Sequence, residues 1–103
     1  MSEFNLSKIF DFLLTVPKGK VVTYGIIAVW LGNAGLARAV GNALHKNPNP
    51  NLYPCYKVVN FKGELSKNFA FGGIEAQKAL LEAEGIKVTN YAVDLKKYLI
   101  TSF

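Results

Sequence analysis

The chain has one cysteine and one histidine among 103 residues. One cysteine cannot close an internal disulfide, so nothing in the sequence asks for an oxidising compartment. With no His/Cys cluster at ligand spacing, no bound metal is expected. No apolar run approaches the ~20 residues of a membrane span. The N-terminus, Met-Ser-Glu-Phe-Asn-Leu-Ser-Lys, carries an acid near its start and lacks the basic flank before an apolar stretch that marks a secretory signal. A cytoplasmic protein without a membrane partner is therefore expected. Acidic residues are also scarce: seven Asp and Glu stand against twelve Lys and Arg, a formal charge of +5. That surplus suits a polyanion, because each phosphate neutralised by a cation releases counterions. Charge alone does not single out a partner.

What is present suits one folded domain over residues 1–103. Half of the residues are apolar and 13% are aromatic, enough for a core without staples. Phe4, Ile9, Phe10, Leu13 and Leu14 recur at helical spacing, which predicts a helix over Ser2–Val16, stopped by Pro17. Pro17 to Lys20 reads as a turn and Val21-Val22 as a short extended entry. Thr23 is a suitable N-cap for a helix to about Leu31, with Ile26, Ile27 and Trp30 on its buried stripe. Gly32 to Gly35 breaks the chain briefly, and a further helix is expected over Leu36–Lys46, ended by Asn47-Pro48-Asn49-Pro50. Two helices joined by a tight, glycine-containing turn are the sequence form of a helix-turn-helix. Arg38 lies in the first turn of the second helix, where such a helix meets DNA. His45 and Lys46 close it, and His45 reads as a helix-end or phosphate contact.

Beyond the prolines, Leu52–Asn60 looks extended and Phe61 to Glu64 looks like a turn. Phe69 to Gly73 is an aromatic, glycine-rich loop. Ile74–Glu84 reads as a helix with Ile74, Leu80 and Leu81 inward, and Gly85 with Ile86 fits a left-handed C-cap. Alternating apolar residues over Val88–Leu99 predict a strand or short extended arm. The expected architecture is α+β and mostly helical, with a winged-helix-like helix-turn-helix.

Cys55 by itself reads as a small buried hydrophobe, since free cysteine is among the most buried residue types. Arg38 by itself reads as a solvated helix charge, Tyr24 as core at a helix start, and Glu84 as an exposed helix-end carboxylate. The order of the motifs changes the weighting. Val-Pro-Lys-Gly-Lys-Val-Val-Thr-Tyr-Gly (16–25), Ala-Arg-Ala-Val-Gly-Asn-Ala-Leu (37–44), Asn-Pro-Asn-Pro (47–50), Pro-Cys-Tyr-Lys-Val-Val (54–59) and Gly72-Gly73 with Leu-Leu-Glu-Ala-Glu-Gly (80–85) follow one another in a fixed order. Together they resemble the C-terminal DNA-binding and active-site domain of the O6-alkylguanine-DNA alkyltransferase family, over about residues 5–87.

The resemblance implies that double-stranded DNA containing O6-alkylguanine is the partner and that Cys55 accepts the alkyl group, without a cofactor. It places Tyr56, Glu84 and Asn47 with Cys55 in the catalytic set. It makes Arg38 the finger that fills the stack and Tyr24 the side chain that crowds the 3′ phosphate. Thr23, Ala37, Gly41, Lys46 and Lys57 join them as DNA contacts. Pro50, Val58, Phe69, Phe71 and Gly72 would wall the alkyl and base pocket. These roles fit the chemistry. O6 is buried in a base pair, so the nucleotide must be turned out and the gap filled. Displacement on an alkyl carbon needs a thiolate, and a neutral thiol at pH 7 supplies only a few per cent of it.

Two departures stand out. Position 56 is Tyr where the family has the histidine of its proton relay, and a phenol with a pKa of about 10 is a poor base at neutral pH. Slower transfer is expected, with Lys57 or backbone dipoles favouring the thiolate. The length, without the extra N-terminal domain usual in repair members, resembles instead the alkyltransferase-like proteins. Those bind and flip the lesion without repairing it and hand it to nucleotide excision repair. A monomer that either repairs O6-alkylguanine itself or marks it for such partners is the expectation.

Overall fold

Val21-Val22 and Val58-Val59 are β-branched pairs that suit a pleated surface, and the molecule is organised around them. In the computed structural model, which describes residues 8–100, strands β1 (Val22–Thr23) and β2 (Val58–Val59) pair in parallel, Val22 beside Val58 and Thr23 beside Val59. Successive side chains of a strand point to opposite faces. Val22 and Val58 accordingly enter one apolar cluster, while Val21 and Val59 enter a second. The C-terminal segment completes this centre: Val21 N–H donates to Tyr98 O at 2.8 Å, and Ile100 N–H donates to Val21 O at 3.0 Å.

The first cluster is helical. Helix α1 (Lys8–Leu13) buries Ile9, Phe12 and Leu13. The expected helix start at Ser2 and Phe4 of its apolar repeat lie outside the described residues. Leu14, expected inward, is exposed, because the chain has already left the helix through turn bonds from Leu14, Thr15 and Val16. Helix α2 (Tyr24–Trp30) is capped by Thr23, whose Oγ1 accepts from Ile26 N–H at 3.1 Å. Ile27 is fully buried, Ile26 only half, and Trp30 lies at the surface with its ring against Phe12. Asn33 caps a 3₁₀ turn over Ala34–Leu36, and helix α3 (Ala37–Leu44) follows directly. It buries Val40, Ala43 and Leu44 against α2, which is the expected helix-turn-helix.

Leu52–Asn60 is not extended throughout. Leu52 and Tyr53 N–H groups turn back onto Asn49 O, and Cys55–Lys57 form a 3₁₀ turn, leaving Val58–Val59 as the only strand of the segment. Pro54 has no N–H to offer a ladder, and its carbonyl instead receives the Lys57 N–H at 3.1 Å.

Helix α4 (Gly73–Ala83) buries Leu81 as expected, but Leu80 is exposed and Gln77 occupies the inward face. Gly85 ends it at φ +84°, with Ile86 buried behind and its N–H on Leu81 O. The tail is less regular than a strand: a bridge joins Thr89 to Ala92, Ala92 also pairs with Glu64, and helix α5 (Leu95–Tyr98) is capped by Asp94.

Candidate functional site

Cys55 opens the 3₁₀ turn between the proline segment and β2, and only 6% of it is exposed. Burial pushes its thiol above the ordinary range. A hydrogen bond from the Asn47 side chain opposes that shift by favouring the thiolate, and burial prevails. Asn47 is itself fixed: its Nδ2 donates to Tyr53 O and its Oδ1 accepts from Asn49 N–H, each at 2.9 Å. The Asn-Pro-Asn-Pro segment thus holds a carboxamide against the sulfur.

Tyr56 is half-buried, and its hydroxyl donates to Glu84 Oε2. Burial and then the Glu84 carboxylate push the Tyr56 phenol well above its usual range. Burial alone would raise Glu84 as well. Hydrogen bonds from Tyr56, from Gly19 N–H at 3.0 Å and from Lys57 outweigh that and hold it below the carboxylate range. Lys57 Nζ lies 3.2 Å from Glu84 Oε1 and donates to Val16 O at 3.0 Å and Pro17 O at 3.2 Å. Lys57 is therefore no phosphate contact. It is a buried strut joining the Cys55 turn to the segment that follows α1, and its charge is spent on Glu84 and two carbonyls.

Cys55 faces two clefts. Tyr24, Gly41, His45, Val58 and Ser66 line one, Pro50, Asn51, Tyr56 and Leu80 line the other, and Phe69 and Phe71 border both. The two phenyl rings meet edge to face with centroids 5.9 Å apart. Pro50, Val58, Phe69 and Phe71 thus line the clefts beside the thiol. Gly72 lines neither cleft. It stands at φ +118° where the loop enters α4, and a Cβ there would meet Ala76 Cβ at 2.6 Å. Its role is to turn the loop into the helix.

On the helix-turn-helix, Arg38 is the exposed second residue of α3 and Lys46 is exposed just past its end. Ala37 is half-buried, packed against the helical cluster, and Thr23 is buried with its hydroxyl engaged as the α2 cap, so neither stands out on the surface. The Tyr24 phenol is raised by burial, against a hydrogen bond with Ser66 that lowers it. A Cβ on Gly41 would make ordinary contact with the Tyr24 ring at 3.8 Å, so an alanine there would narrow the cleft without a clash.

Three members of the site carry no motif. His45 borders the cleft rather than merely ending the helix, and Ser66 meets Tyr24 there. Gln77 donates from Nε2 to Tyr56 O at 2.9 Å and to Val58 O at 3.1 Å, and its Oε1 accepts from Ser66 N–H at 2.8 Å. Gln77 precedes Leu81 by one helical turn, a spacing that marks it as inward once Leu81 is recognised as core.

The model of the 6-O-methylguanine DNA methyltransferase DNA binding domain matches residues 5–86. The DNA base-flipping protein of Vibrio parahaemolyticus is 41% identical over 95% of this chain and 96% of its own length. A bifunctional methyltransferase/endonuclease from Picrophilus torridus is 37% identical over 94% of this chain, which spans 32% of that longer protein. Among solved structures, S. pombe Atl1 in complex with damaged DNA containing O6-carboxymethylguanine superposes with a TM-score of 0.84 at 34% identity, covering 94% of each chain.

Proposed function

The chain belongs to the 6-O-methylguanine DNA methyltransferase family of DNA-binding domains, and from that premise we propose that it binds duplex DNA, turns O6-alkylguanine into the cleft beside Cys55 and takes the alkyl group onto that sulfur slowly. Helix α3 lies against the groove, with the exposed Arg38 entering the stack as the damaged base leaves. A long planar cation can fill that gap and still bond to what lines it. In the chemical step the S–C bond forms as the C–O6 bond breaks, and the electron pair passes to guanine O6. The thioether is stable, so each molecule reacts once, and the step as written uses no cofactor.

The pace of that step rests on the hydrogen bond from Tyr56 to Glu84. A hydroxyl already donating to a carboxylate, with its phenol raised, does not remove a proton from a neighbouring thiol at neutral pH. The thiol is itself raised, because burial outweighs the Asn47 carboxamide and the backbone hydrogen bond that favour its ionised form. Transfer therefore draws on a small thiolate population.

A second reading is favoured by the same raised thiol and by the near full-length likeness to the base-flipping protein. In it the protein holds the flipped lesion unaltered and excision-repair proteins follow. Intact-protein mass after incubation with a duplex carrying one O6-methylguanine separates the two. A gain of one methyl mass on Cys55, absent in Cys55→Ser, is the result expected. Tight, lesion-selective binding with no mass gain even after hours at pH 9 would establish the second reading.

A further inference from the structure

Phe61 is the most exposed large apolar side chain among the described residues, with 79% of its surface open. A single apolar residue on a surface needs no account, but this one is mounted on a turn built to hold it. Asn60 Oδ1 accepts from the backbone N–H groups of Lys62 at 2.9 Å and Glu64 at 2.8 Å, and its Nδ2 donates to Glu64 Oε1 at 2.8 Å. Gly63 N–H closes the turn on Asn60 O at 2.8 Å, and Val93 N–H clasps Gly63 O at 2.9 Å. Gly63 sits at φ +83°, and a Cβ there would fall 2.3 Å from the Val93 carbonyl, so only glycine allows this clasp. The Lys62 ammonium lies 5.6 Å from the Phe61 ring centroid, pairing a cation with the exposed aromatic. The acid of the turn, Glu64, is already engaged with Asn60.

The register gives the tip its place. Because β1 and β2 run parallel with Thr23 beside Val59, both leave the sheet at the same end, one into Tyr24 and the other into Asn60. Tyr24 borders the cleft that holds Cys55, and so does Ser66 on the segment returning from the turn. The tip is therefore continuous with one wall of the cleft.

We propose that the Phe61–Lys62 tip is a second DNA contact. Phe61 packs against the sugar or base edges flanking the displaced nucleotide, and Lys62 meets a neighbouring phosphate. Apolar side chains at such positions wedge against base steps and help hold a duplex open. The net charge of +5 and the shared edge with the base cleft favour duplex DNA over a protein as the occupant. The inference rests on the reading of the cleft as a DNA site and extends it beyond α3.

Fluorescence anisotropy across a salt series tests it, on undamaged duplex and on duplex with one O6-methylguanine, for wild type, Phe61→Ala and Lys62→Gln. Phe61→Ala is expected to bind both duplexes about tenfold more weakly with an unchanged salt slope, the scale of one lost aromatic contact. Lys62→Gln is expected to reduce the log–log salt slope by about one. With p-benzoylphenylalanine in place of Phe61, irradiation is expected to cross-link the protein to DNA. Wild-type affinities and slopes in both variants, with no cross-link, overturn the proposal, whether Phe61 then serves a protein partner or none. If the variants weaken binding but wild type does not prefer the lesion, the tip stands and the lesion-repair reading falls.

Discussion

At position 56 a single side chain separates two kinds of chemistry. A histidine there would titrate near neutrality, whereas the tyrosine present donates to Glu84 and holds its proton far above that range. With no base engaged, transfer should follow the thiolate population of Cys55. Below the raised thiol pKa, the single-turnover rate is expected to climb about tenfold per pH unit. Tyr56→His should raise the rate at pH 7 and flatten that climb above the ~6.5 of an imidazole. Rapid-quench mass measurements from pH 6 to 9 check both. A wild-type rate independent of pH would mean that the thiolate is supplied by another group. Glu84 allows a separate test. Its carboxyl is held below the usual range when folded, so its contribution to stability is present above the unfolded pKa of about 4.3 and is lost as pH falls through the folded value. Wild type should thus lose more melting temperature between pH 5 and pH 3 than Glu84→Gln, which cannot gain that proton. Parallel melting curves for the two proteins would count against the network as a source of acid sensitivity.

At the scale of elements, the helix-turn-helix and the turn that carries Cys55 are separate pieces that polar side chains fasten together. Gln77 ties α4 to the backbone at Tyr56, Val58 and Ser66. Gln77→Leu keeps the volume roughly but strands those buried groups, so a loss of about 2–4 kcal/mol is expected in urea unfolding. A loss below about half a kcal/mol would show that water replaces the amide. Lys57 ties the same turn to the segment that follows α1 in the same manner. These fasteners explain what the sequence made legible and what it hid. Thr23 as a cap, Gly85 with Ile86 as a C-cap and the paired helices could be read directly, because local bonding and helical period determine them. Lys57 looks like a phosphate ligand in any linear reading, since nothing near it in sequence announces Glu84, Val16 and Pro17 as its partners. Leu52–Asn60 looked like one long strand because β-branched and aromatic residues suggest it. Pro54 and the side-chain bonds of Asn47 and Asn49 bend it into turns instead. Leu80 and Trp30 are exposed for a simpler reason: the buried stripe of each helix is narrower than its apolar content.

Across the whole molecule, the basic surplus and Arg38, the single exposed arginine of α3, are expected to play different parts in binding. Lysines that meet phosphates contribute to any duplex, damaged or not, and their share vanishes with salt. A residue that fills the gap left by a displaced nucleotide contributes only when the nucleotide has left the stack. An O6-alkylated guanine pairs poorly, so it leaves more readily than guanine. The two contributions can therefore be separated with one substitution. Arg38→Ala is expected to weaken binding to O6-methylguanine duplex more than tenfold and to undamaged duplex only a few-fold, so that selectivity falls along with affinity. Fluorescence of 2-aminopurine placed opposite or beside the lesion should lose the enhancement that reports unstacking. An equal loss on both duplexes would reduce Arg38 to an ordinary surface charge and transfer the task of filling the stack to another side chain, for which the exposed Phe61 is the next to vary.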